Sequence, residues 1–350
     1  RLRREEALAK ALGFLPEDAE LRTLLLGWGA EAVAGFYTPT AGRLYVVKGA
    51  SGAGSVEGGG VLVHELAHAL QDQHTPLIAV TIGLEGNDDV LFAIGAFLEG
   101  DALFTELRDE AEGSGFPRPS GAEFAARFEQ DAPEGAGVPR LLRESFLRQY
   151  PLGYALADEL VSRGGVAALT AALDDPPLTS EELIHPERYL ERAKRRPLAL
   201  FPEAHETFAP ECDVVATTSF GELGLAVWLV EAGLPEPEAR QAADGWDADR
   251  AWWLDCPGDP RLAWLIQLDT LEQAAELHAA VLRARRPAET ARAILDQEGR
   301  RVLLSAGLED VARAVLLYDL EPRRYDGLRA LLRERPDILL RAQAVRDALD

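Results

Sequence analysis

The feature that most constrains this chain is the run VLVHELAHAL at residues 61–70, which places His-Glu-x-x-His inside an otherwise apolar stretch. On an α-helix, residues four apart lie on the same face, so His64 and His68 can bind one metal ion together. The apolar neighbours predict a helix that is buried nearly all round. Two imidazoles and a carboxylate are costly to bury without a partner, and a metal ion is such a partner. The alternative is a half-exposed helix whose histidines make ordinary hydrogen bonds.

Glu65 indicates a catalytic metal site rather than a purely structural one. It lies about 100° around the helix from His64, beside the metal position but not on it. A carboxylate there can accept a proton from a water molecule that the metal activates, which is the chemistry of Zn²⁺-assisted hydrolysis, most often of peptides. The sequence therefore predicts one Zn²⁺ ion, with His64 and His68 as ligands and Glu65 as the general base.

A third ligand is expected, because a catalytic zinc ion usually has three protein ligands and one open position. Glu99 is the first candidate, since it lies in a second, mostly apolar helix (residues 88–102) where a carboxylate needs a partner. His74 is the alternative, at the spacing of the metzincin motif HExxHxxGxxH. Gln71 stands where that motif has its turn-forming glycine, and the chain has no methionine for a Met-turn. We therefore expect His74 to be a polar neighbour of the site or a helix-end residue.

Two aspartates are candidates for orienting the ligands. Metal-bound imidazoles usually donate their second ring N–H to a carboxylate or a carbonyl group. Asp101, two residues after Glu99, is predicted to accept such a bond, with a solvated or helix-capping aspartate as the alternative. Asp72, one turn after His68, competes for the same role.

The segment HELAHAL at residues 64–70 resembles the active-site helix of thermolysin-type gluzincins, in which a glutamate on a later helix completes the zinc site. The chain is more closely similar to a bacterial family of neutral zinc metallopeptidases. The segments that carry this resemblance are residues 35–39, 43–47, 64–74, 98–102, 179–189 and 242–246. The resemblance implies a zincin fold, with His64, His68 and Glu99 as zinc ligands, more firmly than it implies a substrate.

His185 and Tyr189 lie in a stretch that resembles a downstream His-Pro-x-x-Tyr motif of the same family. The tetrahedral intermediate of peptide hydrolysis carries a developing oxyanion, and a donor from elsewhere in the chain helps to hold it. His185 is the first candidate donor, and Tyr189, four residues later, is the second. The alternatives are that His-Pro only caps a helix and that Tyr189 is a core residue.

The patterns along the chain predict an α+β fold that is mainly α-helical. A zincin-like catalytic core with a small antiparallel sheet and the active-site helix is expected over residues 1–195. A largely helical region over residues 196–350, with a candidate strand at residues 301–304, completes or flanks the cleft. Residues 34–48 predict a β-hairpin. Its second strand, residues 43–48, could pair with an extended substrate, and an ordinary sheet strand is the alternative.

Charge and hydropathy argue against two classes of partner. The formal net charge is −23, from 59 acidic and 36 basic residues. Nucleic-acid binding needs clustered positive charge, so we do not expect it. No run of about 18 uncharged apolar residues occurs, so no membrane span is expected either.

Cys212 and Cys256 are the only cysteines, and they predict either one disulfide or two buried thiols. An even cysteine count fits a disulfide if the protein is exported. The chain begins with Arg1 rather than Met, which fits a removed leader segment or a trimmed chain. We therefore expect a secreted, periplasmic or cell-envelope location, with the cytoplasm as the alternative.

The leading functional prediction is a zinc-dependent endopeptidase of gluzincin type that acts on a peptide or protein substrate. One alternative is a zinc-stabilised binding or interaction protein without turnover, against which the intact Glu65 argues. The other alternative is a zinc hydrolase of a non-peptide amide. The sequence sets no oligomeric state.

Overall fold

The computed structural model describes residues 2–32, 35–38, 41–46, 59–74, 80, 83–84, 86–131, 138–191, 194–285, 291–296 and 300–347. The α-helices of these residues are α1 (Leu2–Ala11), α2 (Leu21–Ala32), α3 (Gly59–His74), α4 (Asp88–Ser114), α5 (Gly121–Asp131), α6 (Arg140–Leu147), α7 (Gln149–Ala172), α8 (Ser180–Ile184), α9 (Pro186–Leu190), α10 (Gly221–Glu231), α11 (Glu236–Ala243), α12 (Leu271–Arg283), α13 (Asp310–Ala314), α14 (Gly327–Glu334) and α15 (Asp337–Asp347). None of the described helices combines the length and the apolar character that crossing a membrane requires.

The strands are β1 (Gly35–Thr38), β2 (Arg43–Val46), β3 (Leu198–Leu200), β4 (Asp213–Thr218), β5 (Trp246–Asp255), β6 (Arg261–Leu268), β7 (Arg292–Leu295), β8 (Arg301–Ala306) and β9 (Arg323–Tyr325). Within the described residues they form a β1–β2 hairpin, a β3–β9 pair and a five-stranded sheet of order β4-β5-β6-β8-β7. All the pairings are antiparallel. The prediction of an α+β fold that is mainly helical is confirmed.

The prediction of a largely helical region over residues 196–350 missed most of the five-stranded sheet. Strand β6 reads RLAWLIQL, and it is buried along nearly its whole length. A fully buried strand lacks the alternation of a half-exposed one, so its apolar run cannot be told from a buried helix by periodicity. The candidate strand at residues 301–304 is confirmed as part of β8.

Helices α4 and α7 pack against each other through glycines. A Cβ atom added to Gly153 would overlap the carbonyl oxygen of Ala96, and one added to Gly100 would overlap the backbone of Gly153. A larger residue at either position would push the helices apart. Glu99 precedes Gly100, and Tyr150 lies almost one turn before Gly153, so the close packing brings these two side chains together.

The β1–β2 hairpin, predicted at residues 34–48, is confirmed in its described part. It packs directly on α3. A Cβ atom added to Gly35 would lie 2.8 Å from Val61 Cγ1 and 3.0 Å from the Tyr45 carbonyl oxygen. A larger residue at Gly35 would therefore hold the hairpin away from the helix that carries His-Glu-x-x-His.

Helix α1 packs against the C-terminal part of the chain. Leu8 and Leu12 share a buried core cluster with Trp228 and Trp264. The indole Nε1 of Trp228 donates a hydrogen bond of 2.9 Å to the Leu12 carbonyl oxygen. The predicted boundary between the regions 1–195 and 196–350 stays a prediction. The contacts of α1 join residues on the two sides of that boundary.

Cys212 and Cys256 form a disulfide, which is the first of the two alternatives predicted for them. The bond joins the start of β4 to the end of β5, next to the paired residues Asp213 and Asp255. Both cysteines are buried in the core cluster that contains Trp252. The disulfide therefore links two strands that the sheet already pairs.

A buried carboxylate ties α4 to α8. Asp89, in the first turn of α4, accepts a hydrogen bond of 3.0 Å from the backbone N–H of Ser180. Its carboxylate also lies against Gly221, where an added Cβ atom would overlap it. Burial raises the pKa of Asp89 to about 7; the bonds from Ser180 act in the opposite direction, and the charges of Asp249 and Glu222 add to the rise.

We expect Asp89→Asn to reduce the pH dependence of stability. The folded pKa of about 7 lies above the value of about 3.9 for an unfolded aspartate. The folded chain therefore binds the proton more tightly, and stability is lost as pH rises from about 4 to about 7. Asp89→Asn does not lose this stability, because its side chain does not ionise. The free energy of unfolding of the variant minus that of wild type should therefore be roughly 2–4 kcal/mol larger at pH 8 than at pH 4. Urea unfolding across that pH range measures the effect, with Asp109→Asn on the exposed face of α4 as control; parallel curves for wild type and Asp89→Asn would contradict it.

Candidate metal centre

His64 and His68 on α3 meet Glu99 on α4. The Nε2 atom of His64 lies 3.2 Å from Nε2 of His68 and 3.3 Å from Oε2 of Glu99. The Nε2 atom of His68 lies 3.7 Å from Oε1 of Glu99. The side chains are 14%, 13% and 26% exposed, respectively. The structure thus brings the three predicted ligands together at one partly buried point.

This donor set fits a zinc ion. Zinc lies about 2.1 Å from nitrogen and oxygen ligands, and tetrahedral geometry then separates two ligand atoms by about 3.4 Å. The two Nε2 atoms are 3.2 Å apart, and the Glu99 carboxylate lies 3.3 Å from His64 through Oε2 and 3.7 Å from His68 through Oε1, so these separations are close to that value. Two imidazole nitrogens and one carboxylate oxygen are also a ligand set typical of catalytic zinc, in which a fourth position takes water or substrate.

A second glutamate on α4 orients His64. The Oε2 atom of Glu106 lies 3.1 Å from Nδ1 of His64. An ionised carboxylate only accepts hydrogen bonds, so Nδ1 carries the proton and Nε2 is left to face Glu99. Glu106 follows Glu99 by seven residues, which places both on one face of α4. That spacing is the signal that could have identified Glu106 from the sequence.

Gln71 orients His68. The Nδ1 atom of His68 donates to Oε1 of Gln71 at 2.9 Å. The Nε2 atom of Gln71 in turn donates to Asp101 Oδ2 at 2.8 Å and to the Leu98 carbonyl oxygen at 3.0 Å. Asp101 therefore acts on His68 through an amide rather than directly, which refines the predicted role. Gln71 is only 3% exposed, and it is the same residue that separates this chain from the metzincin motif.

The charges of the three predicted ligands act strongly on one another. Burial lowers the pKa of His64, but its hydrogen bonds to Glu106 and Glu99 outweigh burial and raise the pKa to about 10. Burial raises the pKa of Glu99, but its bonds to His64 and His68 outweigh burial and lower the pKa to about 2. A metal ion would replace the protons that hold this centre together, because imidazole binds metal only in its neutral form.

Glu65 lies beside this cluster, on the side of α3 that faces the hairpin. It is 7% exposed, and a Cβ atom added to Gly35 would lie 3.4 Å from its Cγ atom. Its charge acts on the Tyr150 hydroxyl, as the charge of Glu99 does. The position next to the ligands, but outside the cluster of three, is the one expected of a general base.

Tyr150 on α7 is a further candidate residue that sequence analysis missed. Its hydroxyl lies near the carboxylates of Glu99, Glu65 and Glu106, whose charges act on it. Burial raises the pKa of Tyr150, and these carboxylates raise it further, so the phenol keeps its proton at neutral pH. A neutral hydroxyl here can donate a hydrogen bond to an oxygen atom that gains negative charge. No sequence pattern links Tyr150 to α3; the close packing of α7 on α4 does.

Asp72 and His74 lie at the end of α3 and contact other parts of the chain. The Tyr37 hydroxyl donates a hydrogen bond of 3.0 Å to Asp72 Oδ2, so Asp72 fixes β1 to α3. His74 is exposed at the last residue of the helix. The structure does not bring either residue into the group of His64, His68 and Glu99.

His185 and Tyr189, the predicted oxyanion donors, belong to other contacts. His185 lies at the junction of α8 and α9, and its Nε2 atom is 3.0 Å from Glu222 Oε1. The Tyr189 hydroxyl donates to the Asp175 carbonyl oxygen at 2.8 Å, and the Arg195 guanidinium lies over its ring. These described contacts do not link either residue to the ligands on α3 and α4, so they give the predicted donor roles no support.

Comparisons with family models, with curated proteins and with solved structures find no significant match to this chain. The support for the family resemblance is therefore limited to the sequence segments quoted above. The support for the expected chemistry comes from the positions of the side chains on α3, α4 and α7.

Proposed function

We propose that this protein is a zinc-dependent endopeptidase with a zincin-like core of gluzincin type. The observation that carries the proposal is the convergence of His64 Nε2, His68 Nε2 and the Glu99 carboxylate at the spacing of tetrahedral zinc ligands. The buried Glu65 beside them favours turnover over a purely structural zinc site. A structural site has no need of a general base next to its ligands.

The chain supplies three functions around the ligands. A bound zinc ion would polarise the scissile carbonyl group and lower the pKa of water. Glu65 accepts the proton of the attacking water and delivers it to the leaving amine. Tyr150 donates a hydrogen bond to the carbonyl oxygen as that oxygen becomes negative. Glu106 and Gln71 hold the imidazoles with Nε2 directed at the reaction centre.

The hairpin offers a place for an extended peptide. Among the described residues, β1 and β2 pair only with each other, so each retains an edge. An extended substrate can add to such an edge through main-chain hydrogen bonds. Because β1 lies against α3 beside Glu65, a peptide on this hairpin would run past the general base.

An assay on an unfolded protein tests the proposal. We expect the zinc-loaded protein to cut internal peptide bonds, a chelator to stop the cleavage, and added Zn²⁺ to restore it. Mass spectrometry of the fragments distinguishes internal cleavage from removal of terminal residues. A zinc-loaded, folded protein that cleaves neither unfolded proteins nor peptide libraries would contradict the proposal and favour a binding protein or a hydrolase of a non-peptide amide.

We predict that Tyr150→Phe lowers kcat about 100-fold and leaves zinc content unchanged. Loss of one donor to the developing oxyanion typically costs a factor of this size. Tyr189→Phe is the matched comparison, since it removes a hydroxyl that donates to a backbone carbonyl instead. Steady-state kinetics on one peptide, together with zinc analysis of each variant, measures the effect. A loss of kcat in Tyr189→Phe but not in Tyr150→Phe would assign the donor role to Tyr189, the second candidate from the sequence.

We also propose that the protein works outside the cytoplasm, in the cell envelope or as a secreted protein. The disulfide between Cys212 and Cys256 supports this location, because structural disulfides persist mainly in oxidising compartments.

A further inference from the structure

A second group of metal-binding side chains lies outside the centre on α3 and α4. His185, Glu222 and Asp244 offer ligand atoms that all lie within 4.8 Å of one another. The Nε2 atom of His185 is 3.0 Å from Glu222 Oε1 and 3.7 Å from Asp244 Oδ1. These separations bracket the value of about 3.4 Å that a tetrahedral ion imposes on its ligands.

Each of the three residues lies at the end of a helix. His185 closes α8 and precedes Pro186, the first residue of α9. Glu222 is in the first turn of α10. Asp244 follows the last residue of α11 and precedes Gly245, whose φ of +81° turns the chain into β5. The group is therefore assembled from three separate chain segments at fixed positions.

Glu222 is the observation that points to a ligand. It is 4% exposed, and its Oε2 atom has no hydrogen-bond partner among the described residues. The same carboxylate faces His185 through its other oxygen. A buried carboxylate without full pairing carries a large desolvation cost. The His185 imidazole contacts only one of the two Glu222 oxygens. A bound cation would neutralise the charge of this carboxylate.

The neighbouring buried carboxylate of Asp249 shows the contrast. Asp249 accepts hydrogen bonds from the backbone N–H groups of Phe220 and Gly221 and from the indoles of Trp246 and Trp264. Four donors thus satisfy Asp249 without any ion. Glu222, one residue after Gly221, lacks such a set, because its Oε2 atom has no hydrogen-bond partner among the described residues.

The cluster also has an accessible side. His185, Glu222 and Asp244 line a cavity of about 420 Å³, and Asp244 is half-exposed. An ion could reach the three side chains from the cavity. Water or a small anion could then complete its coordination on that side.

We propose that His185, Glu222 and Asp244 form a second binding site for a divalent metal ion, either Zn²⁺ or Mn²⁺. One imidazole and two carboxylates suit both ions, because imidazole favours zinc whereas carboxylates also suit manganese. This proposal does not depend on the peptidase activity or on the centre at His64. It gives the His-Pro-x-x-Tyr segment a metal-binding role in place of the predicted donor role.

Metal titration of the chelator-treated protein tests this site. Asp244→Asn is the main variant, because Asp244 is half-exposed and its replacement should leave the fold intact. Glu238→Gln is the matched control, since Glu238 lies on α11, the helix that ends just before Asp244, and pairs with Arg283. Calorimetry and elemental mass spectrometry with Zn²⁺ and, separately, Mn²⁺ give the number of ions and their affinity. Circular dichroism confirms that each variant is folded.

For Zn²⁺, Mn²⁺ or both, we expect wild type and Glu238→Gln to bind an ion at this site. Asp244→Asn should bind the same ion at least about tenfold more weakly. Glu99→Ala should retain this ion, which separates the second site from the centre on α3 and α4. Equal binding of both ions by wild type and Asp244→Asn would overturn the proposal. Loss of the same ion in Glu99→Ala would assign it to the first centre and would also overturn the proposal.

Discussion

Glu65→Gln should retain zinc and lose peptide hydrolysis. The amide keeps the size and shape of the side chain but cannot accept a proton from water. General base catalysis typically contributes a factor of about 10²–10⁴, so kcat should fall by that amount. Zinc affinity should change little, because Glu65 lies outside the three ligand atoms that meet between α3 and α4.

The measurement is kcat/KM on an unfolded protein substrate, with the zinc content of each preparation determined in parallel. Glu112→Gln is a suitable control, because Glu112 is exposed on α4 and pairs only with Arg108 among the described contacts. Hydrolysis by zinc-loaded Glu65→Gln at the wild-type rate would show that Glu65 is not the base.

Glu99→Ala should weaken zinc binding by at least about 100-fold. Replacing a residue that only orients a metal ligand typically lowers metal affinity about 10–100-fold. Glu99→Ala removes a predicted ligand itself. In wild type, Glu99 contacts the Nε2 atoms of both histidines. The variant leaves two imidazoles without the carboxylate that neutralises the ion.

Competition with a chelator of known affinity measures this loss. Thermal unfolding gives an independent readout, since zinc at 100 times its Kd should stabilise wild type by about 2.7 kcal/mol and stabilise the variant far less. Glu112→Gln again controls for the removal of one negative charge from α4. Equal zinc stabilisation of wild type and Glu99→Ala would mean that another residue completes the site.

The centre was partly predictable because its strongest signals are local. His64, Glu65 and His68 follow from helical spacing alone, and Glu99 follows from the cost of a carboxylate in an apolar helix. The structure brings His64, His68 and Glu99 to one point. Metal binding, the identity of the metal and the catalytic activity stay predictions.

The residues that orient the centre were harder to predict. Gln71 appeared in the sequence only as a departure from the metzincin motif, yet it connects His68 to Asp101. Tyr150 depends on the packing of α7 against α4, which two glycines permit. Contacts between helices far apart in sequence leave no periodic pattern, so a single sequence does not reveal them.

The same limit explains the missed sheet. Strand β6 is rich in leucine and is buried along nearly its whole length, and the three tryptophans of β5 lie in a largely buried strand. Without a solvent-facing side, β6 lacks the alternation of a half-exposed strand, and β5 and β6 have no short turn signal like the one that predicted the β1–β2 hairpin. Their strand structure depends on pairing with β4 and β8, which local sequence does not encode.

The most direct test of the central claim is the zinc content of wild type and Glu99→Ala, purified in parallel, reloaded with Zn²⁺ and measured by elemental mass spectrometry. We predict that wild type holds at least one zinc ion per chain and that Glu99→Ala holds one fewer. No zinc in wild type after reloading would contradict a zinc enzyme. Equal zinc in the two proteins would contradict the two-histidine, one-glutamate centre and would make His74 the next ligand to test.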